Sequence, residues 1–238
     1  MGEIDPAVVY KKTYWDRPPQ DSKGDGKIEA IYEAVGYALS HWEQADQELA
    51  NLFLTLTDST TTEPSARAPN AVRRAYGSIT SNVGRRAAVE AAAEIYFGRY
   101  WENKFVRQPL TDVLNAVQWA SRRRDDIAHG IAKGPSTFTR RDGADLSKVE
   151  ATFEFGCFLM PPEYNTDRTH PFVSIKKTPH PGDFWRARYT FTSKHIRQFG
   201  FQFIVLEAAI QRYIKRVRED ENGEIPIVKE YLEQRSSQ

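Results

Sequence analysis

Sulfur is nearly missing from this chain: Cys157 is the single cysteine among 238 residues. One cysteine excludes an internal disulfide and any zinc site built from several thiolates. Histidine is also scarce, and His41, His170, His180 and His195 stand isolated, forming neither an HExxH pattern nor a paired-carboxylate pattern. No metal and no cofactor is therefore expected. His170 and His180 each precede a proline and are read as loop residues facing solvent. Long apolar runs are absent too. No window approaches the roughly 18 uninterrupted apolar residues of a membrane helix, so no membrane partner is expected. The opening Met1-Gly2-Glu3-Ile4-Asp5 lacks the basic-then-apolar order of a signal peptide. Pro6 breaks the myristoylation pattern as well. A cytoplasmic location is the expectation.

An excess of either charge sign is the last thing lacking. Lys and Arg total 33 against 32 Asp and Glu, a formal charge of +1. The sum conceals an arrangement. Residues 1–63 carry 5 basic and 12 acidic side chains, residues 64–133 carry 12 and 6, and residues 134–238 carry 16 and 14. A basic middle can meet phosphate locally, or it can pack against the acidic first third. At 40% hydrophobic and 27% charged, the composition is that of an ordinary globular protein with material for a core.

What is present is periodicity. Residues 1–26 hold Pro6, Pro18, Pro19, Gly24 and Gly26 among charges and read as a loose lead-in. From 27 onward, Ile28, Ile31, Val35, Ala38, Trp42, Ala45, Leu49, Leu52 and Leu56 step by threes and fours, the stripe of a long helix. A Ser/Thr/Pro-rich break follows at 57–70. A second helix is predicted over 71–97, with Val72, Ala75, Ile79, Val83, Ala87 and Ile95 inward. A third is predicted over about 108–129, with Leu110, Val113, Leu114, Val117 and Ala120 inward. The period then drops to two. Val149 to Leu159 alternates as a strand does, Trp185 to Phe191 does so again, and Phe172–Ile175 offers a short third strand. Glu150 and Glu154 can face Arg186 and Arg188 across such a sheet. Thr192 or Ser193 can cap a last long helix with the stripe Ile196, Phe199, Phe203, Leu206, Ile210, Ile214 and Val217. The tail, 221–238, can add a short helix through Ile227, Val228, Tyr231 and Leu232. Four amphipathic helices bury their stripes most simply together. The expected fold is mainly α: a four-helix up-and-down bundle, one domain over 27–220, with a small antiparallel β insertion at 134–192 between helices three and four.

One segment carries chemistry. The third helix ends in Ser121-Arg122-Arg123-Arg124-Asp125-Asp126-Ile127-Ala128-His129-Gly130. Extending the stripe 110, 114, 117 puts 121, 124, 128 and 131 inward, so Arg124 is expected on the buried side, with Arg122 and Arg123 turned toward solvent. A buried guanidinium needs a carboxylate, phosphate or carbonyl partner. His129 lies five residues on, about 140° around an ideal helix. Arg124 and His129 therefore meet one ligand only if the helix bends or two copies share a site. Asp125, four residues before His129, can fix the imidazole tautomer. Asp126, four after Arg122, is the expected partner of Arg122.

At this segment the sequence resembles the HEPN superfamily of helical-bundle proteins, which share an Arg, four to six residues, then a His at the end of the third main helix. Arg124-Asp125-Asp126-Ile127-Ala128-His129-Gly130 fits with a spacing of four. Arg123 and Arg122 fit with five and six, while the apolar register and the polar Asp125 favour Arg124. The resemblance implies metal-independent RNA cleavage in a homodimer, the 2′-OH attacking its own phosphate in a cleft lined by Arg and His from both chains. Catalytic roles fall to Arg124, His129 and Asp125, and substrate-binding roles to Arg122 and Arg123. RNA is the implied partner, with a toxin or defence role and an antitoxin or other regulatory protein as a further partner. Members of the family also serve as non-catalytic modules that bind RNA, a nucleotide or a protein. A plain helical interaction protein is the third reading, with Arg124 in a structural pair and His129 as a helix-end cap. Secondary candidates for RNA contact are Arg73, Arg74, Arg85 and Arg86, which otherwise form a wet helix face, and Tyr76 and Trp119, which otherwise are core.

Overall fold

A computed structural model describes residues 5–19, 23–57, 67–141, 149–161, 189–219 and 223–237, with backbone alone at 67–70, 136–141 and 149–155. The protein is mainly helical with a small antiparallel sheet component. The helices are α1 (Ile28–Leu56), α2 (Arg67–Gly77), α3 (Asn82–Phe97), α4 (Lys104–Ala128), α5 (Ser193–Val217) and α6 (Pro226–Ser236). The strands are β1 (Ile131–Lys133), β2 (Ser136–Arg141), β3 (Val149–Phe155) and β4 (Phe158–Met160). Among the described residues no helix is long and apolar enough to cross a membrane.

Two of the predicted stripes are buried much as the period demands. Along α1, Ile31, Ala38, Trp42, Ala45, Leu49, Leu52 and Leu56 are buried, and along α5 so are Ile196, Phe199, Phe203, Leu206, Ile210, Ile214 and Val217. The predicted second helix is two. Residues 78–81 interrupt it: the Ser78 hydroxyl donates back to the Ala75 carbonyl at 2.7 Å, and the Ser81 hydroxyl accepts the Gly84 N–H at 3.0 Å. Serine side chains that satisfy backbone groups end one helix and start the next. The restart also turns a different face inward. Val83 and Ile95 are 74% and 83% exposed, against the core role expected of them, and Val89, Ala92, Ala93 and Phe97 are buried instead. Helix α4 begins at Lys104 rather than 108, because the Asn103 side chain accepts the Phe105 N–H at 2.8 Å. Pro109 thus lies inside the helix.

Contacts divide the chain into two compact units, and α1, α4 and α5 contribute residues to both. The first unit comprises Met1–Trp15, Trp42–Ser121 and Gln202–Gln238. In it Arg85 on α3 pairs with Asp46 on α1. Arg86 donates to Asn115 on α4 at 2.9 Å, and the Tyr96 hydroxyl donates to the Val217 carbonyl of α5 at 2.7 Å. Trp42 meets Phe203 edge to face. The segment read as a loose lead-in contributes two 3-10 turns, Pro6–Tyr10 and Lys12–Trp15. Trp15 is buried, its indole N–H bonded to the Val9 carbonyl at 2.9 Å and its ring stacked on Phe203. Helix α6 realises the helix expected in the tail, with Ile227 and Val228 buried and Leu232 exposed.

The second unit comprises Asp16–His41 and Arg122–Phe201. The strand expected from Val149 to Leu159 is broken at Gly156 into β3 and β4. Its partners lie directly after α4: β1 pairs with β4, and β2 with β3, both antiparallel. The break exists because another segment enters there. The Gly156 N–H donates to the Lys23 carbonyl at 2.8 Å, and Asp25 and Cys157 exchange both backbone bonds. A Cβ on Gly156 would stand 2.5 and 2.6 Å from the carbonyl oxygens of Asp25 and Lys23, which only glycine avoids. Asp25 then reaches α5: its carboxylate accepts the Ser193 N–H at 2.6 Å and the Ser193 hydroxyl at 2.7 Å. This is a helix N-terminus satisfied by a distant carboxylate. The carbonyl of Thr192, the other expected cap, accepts the Ile196 N–H at 3.1 Å, and its hydroxyl accepts the His195 N–H at a long 3.5 Å. The Phe172–Ile175 strand, the Glu150/Glu154 facing of Arg186 and Arg188, and the placement of His170 and His180 lie outside the described residues.

Candidate functional site: the carboxyl end of helix α4

Every sequence-predicted site residue belongs to the second unit, within residues 122–129. The inward register differs from the expected one. Ser121 is buried as predicted, but the next buried position is Ile127, whereas Ala128 and His129 are exposed. Beyond Ser121 the inward side thus runs through 123 and 127 rather than 124 and 128. Of the three arginines, Arg123 has the least exposed side chain, at 12%; that of Arg124 is 35% exposed, and Arg122 is exposed. The expectation that Arg124 is the buried guanidinium is therefore corrected to Arg123. The physical reason is the element that receives this turn: Ile127 takes the apolar site, and a carboxylate three residues from Arg123 lies on the same side.

That carboxylate is Asp126, whose side chain is 13% exposed. It does not pair with Arg122. Arg123 reaches it at 3.0 Å, and so does Arg17, in a fork: Nε to Oδ2 at 3.0 Å and Nη2 to Oδ1 at 2.8 Å. Planar two-bond recognition of a carboxylate is what a guanidinium does best. The Arg17 guanidinium also lies over the Tyr189 ring, 5.0 Å from its centroid. The Tyr189 hydroxyl donates to the Asp126 main-chain carbonyl at 2.9 Å, satisfying one of the carbonyls that a helix end leaves without an intrahelical donor. Tyr189 is set in place by its neighbours. Its ring stacks on Phe191 at 4.5 Å, and Phe191 exchanges backbone bonds of 2.8 and 2.9 Å with Leu159 of β4. Gly130 closes the turn, where a Cβ would meet the Leu159 side chain at 2.6 Å and the Asp126 carbonyl at 2.9 Å.

The outward side is different. Arg124 pairs with the adjacent Asp125 at 3.0 Å. Asp125 consequently does not hold the His129 imidazole, as expected from their spacing; only the His129 backbone N–H returns, to the Asp125 carbonyl at 3.0 Å. Among the described residues the imidazole makes no hydrogen bond, and Arg122 makes no ion pair. The helix end therefore sorts its charges by side. Arg123 and Asp126 are held from within, while Arg122, Arg124 and His129 reach solvent.

Arg17 and Tyr189 were not singled out for this site by sequence. Arg17 is the only arginine in the acidic first third, a faint signal, and Tyr189 was legible only as one position of an alternating run. Of the secondary candidates, Arg85 and Arg86 are engaged in the helix packing of the first unit, Arg73 donates to Asn51 at 3.0 Å, and Tyr76 is buried. Cys157 is buried beside Asp25, and loss of solvent pushes its thiol above the ordinary range, with the Asp25 and Glu29 carboxylates adding to the effect. Among the described residues no three His, Cys, Asp or Glu side chains gather where they could hold a metal ion. The chain matches no protein-family model, no curated protein and no solved structure.

Proposed function

We propose that this protein is a metal-independent endoribonuclease of the HEPN type, acting as a homodimer, with α1, α3, α4 and α5 as the helices of an up-and-down bundle. One observation carries the reading: the end of α4 presents a hydrogen-bond-free imidazole, His129, to solvent on a turn that also exposes Arg122 and leaves Arg124 partly exposed. The chemistry suits those groups. A neutral imidazole takes the proton of a ribose 2′-OH as its oxygen attacks the adjacent phosphorus. Arg124 and Arg122 stabilise the charge that grows on the non-bridging oxygens. The bond from phosphorus to the 5′-oxygen then breaks, and that oxygen takes a proton from the protonated His129 of a second copy. The products are a 2′,3′-cyclic phosphate and a free 5′-OH. A toxin or defence role, with a protein that restrains the nuclease, belongs to the same reading.

A second reading has its own observation. Arg124 is already paired with Asp125, which favours a non-catalytic HEPN module that binds RNA, a nucleotide or a protein partner through the same surface. Purified protein is incubated with single-stranded RNA in EDTA and the ends of the fragments are identified. Cleavage to 2′,3′-cyclic phosphate ends, lost in His129→Ala and in Arg124→Ala while the fold and the dimer persist, supports the nuclease. Equal cleavage by wild type and His129→Ala refutes it. RNA retention without cleavage supports the binding module. Sedimentation as a monomer at micromolar concentration would overturn the shared site.

A further inference from the structure

We propose that Arg17 and Tyr189, remote in sequence from the α4 motif, are positioning residues that hold His129 in place through Asp126. The inference rests on the nuclease reading for its consequence but on geometry for its substance. A helix end frays because its last carbonyls lack donors, and His129 sits just past the last residue of α4. Two contacts suppress the fraying, and both converge on one residue. The Arg17 fork fixes the Asp126 carboxylate, and the Tyr189 hydroxyl fixes the Asp126 carbonyl. Asp126 is three residues before His129, so pinning both its polar ends fixes the turn that carries the imidazole. The Arg17 guanidinium over the Tyr189 ring ties the two clamps to each other. Both clamps come from outside α4, Arg17 from the segment that follows the second 3-10 turn and Tyr189 from the stretch hydrogen-bonded to β4.

The arrangement has a functional logic. A general base must stay within hydrogen-bond reach of the proton it removes, and misplacing it by about 1 Å costs up to about a hundredfold in rate.

Tyr189→Phe is the informative variant, since it keeps the ring against Phe191 and Arg17 and removes one donor. RNA cleavage is measured in EDTA across pH, alongside the imidazole signal of His129 in a proton–carbon correlation spectrum, assigned by its loss in His129→Ala. The expected result is a kcat lowered about tenfold with KM unchanged, a displaced His129 signal and a thermal midpoint lowered by no more than about 2–4 °C. An unmoved signal overturns the proposal, whatever happens to the rate. An unchanged kcat with a moved signal also overturns it, because position would then not matter to the chemistry. Absence of any cleavage by wild type sinks the nuclease reading instead, and the His129 signal alone then decides whether the clamp positions the imidazole. Should Tyr189→Phe fail to fold, Arg17→Lys takes its place, keeping the charge but losing the fork, with the same outcomes.

Discussion

Removing Arg17 and Asp126 singly and together measures whether the α4 terminus is held as described. The fork comprises two charge-assisted bonds of 2.8 and 3.0 Å to a carboxylate that is mostly buried. Hydrogen bonds to charged groups contribute about 1.5–3 kcal/mol. Arg17→Ala leaves Asp126 one partner, Arg123 at 3.0 Å, so its cost falls toward the low end, about 1.5–2 kcal/mol. Asp126→Ala strips the same carboxylate from both arginines and leaves two part-buried cations facing each other, which costs about 3–5 kcal/mol. If the two side chains act through one another, the double variant loses less than the sum, with a coupling of about 1.5 kcal/mol. Urea denaturation followed by circular dichroism supplies all four free energies. Arg122→Ala, the control suggested by helical spacing alone, changes stability by less than about 0.5 kcal/mol. A coupling below about 0.5 kcal/mol, or an Arg122→Ala variant as damaged as Arg17→Ala, would refute the assignment of Asp126 to Arg17.

Two further outcomes follow from the strand break and the buried thiol. Gly156→Ala drives a methyl group into the Asp25 and Lys23 carbonyls; overpacking of this kind costs about 1–3 kcal/mol, read as a thermal midpoint lowered by about 2–10 °C for a chain of this size, and an unchanged midpoint contradicts the close approach. Cys157 resists a disulfide-exchange reagent at pH 8 in the native protein and reacts at once in guanidinium chloride. Because its folded pKa lies above the unfolded one, the native state holds the proton more tightly. Its contribution is complete below the unfolded thiol's pKa of about 8.5 and is lost as pH rises from there through the raised folded value. Cys157→Ala should flatten that alkaline decline, and an identical pH dependence in the variant would count against the burial of the thiol.

Legibility in the sequence followed the range of the physics. The stripes of α1 and α5 follow the 3.6-residue period closely because nothing in either run competes with it, with Ala34 in place of Val35 as the one shift within α1. The 71–97 stretch departs from the single helix its period predicts because Ser78 and Ser81 bond nearby backbone groups, and a four-residue interruption lets the chain restart with another face inward. Val83 and Ile95 are apolar, and period alone assigned them to a core they do not reach. In the site, helical spacing placed Arg122, Arg123, Arg124, Asp125, Asp126 and His129 on one terminus correctly. It failed on partners. Spacings of four suggested Arg122 with Asp126 and Asp125 with His129, and neither pair forms, because Arg17 arrives from 109 residues away to claim Asp126.

By itself the sequence determined what local periodicity and chemical inventory can carry. It placed the long helices, the change to strand spacing after α4, the scarcity of thiols and the concentration of arginine, aspartate and histidine at one helix end. Tertiary structure alone decided which arginine is buried, which carboxylate is held and which is left to solvent, and why glycine stands at 130 and 156. Those outcomes depend on segments distant in sequence meeting one helix terminus. A choice between two adjacent carboxylates is a matter of about 100° of helix rotation, which no local pattern fixes until a partner arrives.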